Sequence, residues 1–373
     1  MSPFEIEIQL LAILVAVACA LPGVFLVLRR MALMSDAISH SILLGIVLAF
    51  FVVHDLNHPL LVVAAAATGV ATVFLVEALH RTGRMKEDAA IAIVFPALFS
   101  VAVILISRYA ASVHLDLDAV LLGEIGFAPF DRLELGGRDL GPRSLWLMGA
   151  ILLLNAAFLA TFYKELKVST FDPVLAAALG FSPGLLHYAF MSVVSVTAVG
   201  AFDAVGSILV VALMIAPPAA AYLLSDRLPV VLALSALLAI AAALTGYWTA
   251  RWIDSSIAGS MAGMAGLVFL LAFLFAPHRG LVVQVRRRSR QRLALAGATL
   301  VAHLFARESE RSGAETGRLT RLPAEFQWDP ALVRRAARWG ELRGLLRGDG
   351  QGRLELTEEG RRFARSDPVG GEG

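Results

Sequence analysis

The sequence predicts an all-α polytopic membrane protein of about eight to nine transmembrane helices, followed by a small cytoplasmic α+β domain. Three observations carry that expectation. Of the 373 residues, 58% are hydrophobic and 17% charged, and the mean hydropathy is +0.74, outside the range of ordinary soluble domains. The apolar residues come in runs of roughly 20, the length a helix needs to cross hydrocarbon, and only helices satisfy their own backbone over so many such crossings. Arginine, sparse among these runs, becomes dense from Arg279 onward, dividing the chain into an apolar domain, 1–280, and a polar, basic domain, 281–373.

The candidate spans run from Glu7 to Leu28, Met31 to Val53, Pro59 to Leu79, Ala89 to Ser107, Ser144 to Tyr163, Leu185 to Phe202, Ala204 to Leu224, Leu228 to Ala250 and Ile257 to Ala276. The first has no basic leader and no small-residue cleavage site, so it reads as a permanent span. The stretch 185–224 is too long for one crossing and is interrupted by Gly200 to Gly206, which suggests two helices and a tight turn. Pro217-Pro218 removes two amide donors and is expected to break or kink its helix, and Pro22 and Pro96 to kink theirs. Gly259-Ser-Met-Ala-Gly263 fits the small-xxx-small pattern of close helix packing, within the chain or against a second copy.

Orientation follows from the basic residues. Arg29 and Arg30, then Arg81, Arg84 and Lys86, then Lys164 and Lys167, then Arg227, then Arg279 fall on alternate connections, which the positive-inside rule places in the cytoplasm. Arg251 and the long 108–143 connection stand apart from that alternation. The expected protein is multi-pass in the cytoplasmic membrane, with its N-terminus outside and its C-terminal domain inside. The single cysteine, Cys19, lies within the first span. It excludes an intramolecular disulfide and a CxxC metal site, leaving His, Asp, Glu or backbone oxygen to hold any metal.

Asp36 and His40 stand four residues apart inside the second span, on one helix face. Ionisable groups at such depth are costly and mark a polar pathway or cavity; the structural alternative is an interfacial Asp36 that caps the helix or pairs with Arg29 or Arg30. At 1.5 Å per residue Asp36 lies about 9 Å from Arg30, the inner half of a straight span, unless the helix is broken or displaced. In the long outer connection, His114, Asp116, Asp118 and Glu124 could form a cation-attracting vestibule or a solvated loop that docks a partner. Between two spans on the cytoplasmic side, Asp172-Pro173 starts a helix and Gly180 ends it. The resulting helix of about two turns, with Ala177 in its second, has an apolar face that needs another protein or lipid to cover it. A GxxxxGK[ST] phosphate-binding loop is absent from the sequence, so ATP hydrolysis would need a separate chain.

Taken together, Arg-Arg-Met31-Ala-Leu-Met-Ser35-Asp36-Ala-Ile-Ser39-His40-Ser, the segment from Phe171-Asp-Pro to Gly180, the stretch Val199-Gly to Val205-Gly-Ser-Ile-Leu-Val-Val-Ala-Leu-Met-Ile-Ala-Pro217, and Phe273-Leu-Phe-Ala-Pro277-His-Arg-Gly280 resemble the permeases of ABC importers for manganese, zinc and iron. The resemblance implies a non-enzymatic transport subunit with no permanently bound cofactor. Its implied partners are a second permease chain, identical or paralogous, a cytoplasmic ATPase dimer, an extracytoplasmic solute-binding protein and membrane lipid. It also implies a metal-path role for Asp36 and His40 and a coupling-helix role for Asp172 through Gly180. The 114–124 loop and Phe202-Asp203-Ala are similar to the manganese branch, favouring manganese over zinc or iron. Two ligands per chain are too few for a cation site, but a dimer axis would bring together two Asp and two His, a set suited to Mn²⁺, Fe²⁺ or Zn²⁺. A membrane-anchored metal sensor and an ion-gradient-driven carrier are the alternatives.

In the C-terminal domain, helices are expected over 288–307 and 330–346. A hairpin should turn at Asp349-Gly350, with Leu354 and Leu356 alternating as a strand, and Thr357 with Glu358 and Glu359 should open a last helix. This order is similar to the winged-helix domain of metal-dependent repressors. Arg334, Arg335 and Arg338 could meet DNA, but the membrane tether and interleaved Glu residues favour a regulatory or ATPase-contacting module.

Overall fold

The computed structural model describes residues 2–55, 58, 60–109, 125–135, 138–277, 279–309, 322–349 and 353–366. They form two compact units, Met1–Arg279 and Gly280–Gly373.

Among the described residues, the first unit has nine helices long and apolar enough to cross a membrane. These are α1 (Pro3–Leu28), α2 (Leu33–Val53), α3 (Leu60–Arg81), α4 (Glu87–Tyr109), α5 (Arg143–Thr161), α8 (Pro183–Val205), α9 (Ser207–Leu224), α10 (Leu228–Ile253) and α11 (Ile257–Phe275), with the short α6 (Tyr163–Phe171) and α7 (Pro173–Ala178) between α5 and α8. The segment around 167–171, taken from sequence as part of a connection, is helical. A 3-10 turn, Ile125–Phe130, and a two-stranded hairpin, β1 (Arg132–Leu135) with β2 (Arg138–Pro142), lead into α5.

Helix α1 is central, with most of its residues from Leu11 to Leu26 buried. Two buried polar contacts tie its neighbours: Asn155 Nδ2 donates to the Ala18 carbonyl and to Thr197 Oγ1, both at 2.9 Å. The long stretch 185–224 makes two crossings, hinged at Gly206 with φ 80°, a backbone state only glycine adopts freely. Phe190, early in α8, packs on Phe25, and Met214 and Pro218, late in α9, pack at Gly23, so the outer limbs of both helices reach the same end of α1.

Helix α9 runs through Pro217 and Pro218, so of the break or kink expected there, the break does not occur. Pro218 cannot donate to the Met214 carbonyl four residues back, and that carbonyl instead lies against Gly23, where a Cβ would come within 2.2 Å of it. Gly23, lacking a Cβ, leaves room for that carbonyl against α1. Helices α1 and α4 likewise run through Pro22 and Pro96. Among the described residues Gly259 and Gly263 are not in close packing with another helix: a Cβ on Gly263 would meet nothing within 4 Å, and one on Gly259 only Ser256 at 3.6 Å.

The second unit has its own core, built from Leu300, Val301, Leu304, Leu322, Val333, Ala336, Leu346 and Leu354. Its elements are α12 (Leu281–Ser309), α13 (Leu322–Phe326), α14 (Pro330–Leu342), β3 (Leu346–Gly348), β4 (Leu354–Leu356) and α15 (Glu358–Arg365). Asp329 caps α14 by accepting from the Ala331 amide at 2.8 Å, and Thr357 Oγ1 caps α15 by accepting from Gly360 at 3.0 Å. The antiparallel hairpin pairs Leu346 with Leu356 and Gly348 with Leu354. Two expectations are corrected. Helix α12 starts at Leu281 rather than Arg288, since no breaker stands between them, and α14 ends at Leu342 because Gly344, at φ 67°, turns the chain so that Leu346 enters a strand.

Candidate functional site

Asp36 and His40 occupy the first two turns of α2, with His40 Nε2 3.4 Å from Asp36 Oδ1. The helix begins there without a side-chain cap, Ala32 being the N-cap residue. Arg29 is engaged elsewhere, donating to Ser169 Oγ and Thr170 Oγ1 at 3.1 Å each. Capping and pairing with Arg29 are therefore not what hold Asp36 in place.

Packing around α2 fixes the depth of the pair. Ile38, between the two, meets Gly69 of α3, which also abuts Ser195 of α8, and Thr72 Oγ1 lies 2.7 Å from Ser41 Oγ. Gly69, Thr72 and Ser195 are mid-helix positions, so His40 is level with the middle of the bundle and Asp36 about 6 Å nearer the Arg29 end. No break in α2 is needed. The helix is unbroken, and its second turn, rather than its centre, is packed against mid-bundle.

The other face of the turn is sealed: Ser35 and Ser39 are buried and bonded within the helix to the carbonyls of Ala32 and Ser35. Asp36 and His40 stay part-exposed, and the His40 ring rests beside Phe95 and Phe99 of α4, at centroid distances of 5.9 and 6.0 Å. One oxygen donor and one nitrogen donor thus sit on an open, aromatic-walled face. Among the described residues, no group of three or more His, Cys, Asp or Glu is placed to hold a metal ion.

The remaining candidates are apart from this pair. Asp203 lies near the end of α8, eight residues or about 12 Å beyond Ser195, on the side away from Asp36, in the electrostatic range of Arg143 and Asp131. His114, Asp116, Asp118 and Glu124 lie outside the described residues. At that far side Arg132 bonds Glu7 at 3.3 Å and Asp139 at 2.5 Å, and Arg251 bonds Glu5.

At the other end, Asp172 Oδ1 accepts from the Leu175 amide at 2.9 Å, Pro173 is the first residue of α7, and Gly180, at φ 86°, ends it. Ala176 is buried, while Ala177, Leu175, Leu179 and Val174, the last 77% exposed, present an apolar face. Arg29, over the Phe190 ring at 5.1 Å, clamps α6 just before this helix; burial pulls its guanidinium down to about 10, still charged at neutral pH.

One polar feature was missed from sequence. A cavity of about 170 Å³ is lined by Met31, Met34, Val73, Val76, Glu77, His80, Glu87 and His187. Glu77 bonds Arg81 and faces His187 at 3.9 Å, while Glu87 Oε1 is buried without a hydrogen-bond partner among the described residues. Glu77 and His187, ionisable residues inside apolar runs, were the signal available.

Nine helices long and apolar enough to cross a membrane, among the described residues, define a polytopic membrane protein. Residues 1–276 match the model of the ABC 3 transport family, and the chain belongs to that family. It is 48% identical over 354 residues to the zinc transport system membrane protein TroD of Treponema pallidum (strain Nichols), covering 95% of this chain and 96% of TroD. It is also 48% identical over 284 residues to the manganese transport system membrane protein MntD of Bacillus subtilis (strain 168), covering 76% of this chain and 96% of MntD. Among solved structures it resembles PsaBC from Streptococcus pneumoniae in complex with Fab, with a TM-score of 0.63, 27% identity, and coverage of 75% of this chain and 94% of that one. The TroD alignment continues well past the last span, whereas MntD is nearly exhausted by the span region.

Proposed function

We propose that this chain is the permease subunit of an ATP-binding-cassette importer for a divalent transition metal, manganese first, with zinc and iron as alternatives. The observation that carries the reading is the Asp36–His40 pair: an oxygen and a nitrogen donor near mid-bundle, both part-exposed on a face walled by Phe95 and Phe99. The metal is cargo. Carboxylate and imidazole suit Mn²⁺, Fe²⁺ and Zn²⁺, and Cys19, buried in α1, offers no accessible thiolate. Because one chain contributes too few ligands, a second permease chain, identical or paralogous, completes the site.

Relatives named as manganese and zinc transport membrane proteins support this class of cargo. The apolar face of α7 suits docking on a cytoplasmic ATPase dimer. It favours an ATP-driven importer over a membrane sensor or an ion-gradient carrier, neither of which needs such a face. On this reading the Arg29 end of the bundle is cytoplasmic, and the far end, with Asp203 and the 114–124 loop, receives metal from a solute-binding protein. The C-terminal unit, whose helices and hairpin run in winged-helix order, serves as a cytoplasmic regulatory or ATPase-contacting module rather than a DNA reader.

The test is metal uptake in cells carrying Asp36→Ala or His40→Ala at matched protein levels. Each substitution should lower uptake on the order of tenfold or more, the effect expected when a metal path loses a ligand. Uptake at the wild-type rate in both variants would remove the pair from the path.

A further inference from the structure

Helix α12 is two different helices end to end. Its C-terminal half supplies Ala296, Leu300, Val301 and Leu304 to the core of the second unit. Its N-terminal half, 281–295, contributes nothing to that core and carries five arginines in seven residues: Arg286, Arg287, Arg288, Arg290 and Arg292. All five are exposed, and none pairs with an acidic side chain among the described residues. The sequence has no Asp or Glu between Asp254 and Glu308, so this charge is not locally neutralised.

The exposed face is mixed rather than purely basic. Leu281, Val285, Arg288, Arg292 and Leu295 fall within about 80° of arc on a 3.6-residue helix. Leu281, Val285 and Leu295 are 43, 58 and 56% exposed. Apolar side chains interleaved with arginine suit a headgroup boundary, where the former enter the acyl edge and the latter meet phosphate. The chain also reaches such a surface: α11 ends at Phe275 and α12 begins at Leu281, a linker that cannot extend beyond roughly 20 Å. Nucleic acid would account for the charge but not for the exposed leucines and valine.

We infer that residues 281–295 form a surface for anionic lipid headgroups, tying the C-terminal unit to the leaflet from which it emerges. The inference rests on the bilayer crossing of α11 and not on the identity of the metal. Basic residues near an anionic leaflet attract it additively, and salt screens the attraction.

The experiment uses the full chain in nanodiscs of phosphatidylcholine alone or of phosphatidylcholine with phosphatidylglycerol. Limited trypsin digestion is followed at Arg286 to Arg292, with cleavage at Arg343 and Arg347 as the internal reference. Relative cleavage at 286–292 should slow roughly tenfold in the anionic discs at low salt and recover at about 1 M salt, where the screening length falls to about 3 Å. A Leu281→Asp/Val285→Asp chain, which keeps every trypsin site, should lose much of the protection. Equal cleavage in both discs overturns the inference. So does equal protection by added duplex DNA in neutral discs, which would assign the surface to nucleic acid.

Discussion

In the membrane unit, a Cβ at Gly45 would lie 2.4 Å from the Ala64 carbonyl oxygen and one at Gly246 would lie 2.4 Å from Met261 Cα; in the C-terminal unit, a Cβ at Gly297 would meet the Trp339 ring and one at Gly340 the Leu346 side chain. The first kind of contact is backbone against helix and the second is helix against side chain. Lipid tails are as apolar as leucine, so burying leucine among helices within a bilayer gains little, and association depends on close approach and buried polar contacts. In water each buried apolar Å² contributes about 25 cal/mol, so a small unit can be held by a handful of large side chains. At these four positions glycine does different work: close backbone approach at Gly45 and Gly246, room for a side chain at Gly297 and Gly340.

The strongest way to break this comparison is to fill a membrane glycine. Gly45→Leu sets four carbons against a backbone that cannot rotate away, and overpacking of that kind costs on the order of 3 kcal/mol or more. Gly263→Leu, with nothing within 4 Å of its Cβ, should leave the thermal midpoint of the detergent-solubilised chain near wild type. Equal losses for the two would show that close approach is not what these glycines provide. The counterpart in the second unit is Leu300→Ala. It removes a fully buried side chain at a cost of about 3 kcal/mol. Because the two cores are separate, faster proteolysis should appear within 322–366 while the span region keeps its midpoint; a fall in both would mean that the cores are coupled.

Much of the architecture was legible because each signal is local. Apolar runs of bilayer length marked the spans, and Asp172-Pro173 and Thr357 announced helix starts through side-chain caps and an imino nitrogen that needs no partner. What escaped depends on neighbours distant in sequence. Pro217 and Pro218 read as breakers, since only the structure brings Gly23 against the freed Met214 carbonyl. Counting 1.5 Å per residue from Arg30 placed Asp36 in the inner half of a straight span, and it lies on that side of mid-bundle; that His40 comes level with the middle without a break in α2 depends on the packing of Ile38 at Gly69, a neighbour from another helix. Glu77, Glu87 and His187 come from α3, α4 and α8, so no spacing rule could group them. The pairing of Asp36 with His40 was visible because it is an i, i+4 pair on one helix, whereas the phenylalanines beside His40 belong to α4.

A finer test of the membrane unit is Thr72→Val. Thr72 Oγ1 sits 2.7 Å from Ser41 Oγ and 2.8 Å from the Thr68 carbonyl, next to the α2 turn that carries the site. Interhelical hydrogen bonds within a bilayer average about 0.6 kcal/mol, so stability should fall by roughly that amount, less than for Gly45→Leu or Leu300→Ala. Metal uptake should fall only if α2 shifts. A double cycle with Ser41→Ala separates the pair's own contribution from the loss at each position, and a coupling of zero would remove the bond from the account.

The smallest expected effect belongs to the C-terminal unit and depends on pH. Arg361 grips Glu308 through Nε at 3.1 Å and Nη2 at 2.8 Å, which holds the Glu308 carboxyl below its ordinary value of 4.5. A folded-state value below the unfolded one means that the unfolded chain binds the proton more readily. The pair's contribution is therefore present above about pH 4.5 and is lost as pH falls through the depressed value. Both side chains are part-exposed, so solvent and salt keep the contribution small. Hydrogen exchange in 330–342, corrected for intrinsic rates, should show opening that rises more steeply between pH 5 and pH 3 in the wild type than in Arg361→Gln, with the gap narrowing in high salt. Identical slopes would place the stability of this unit in its apolar core alone.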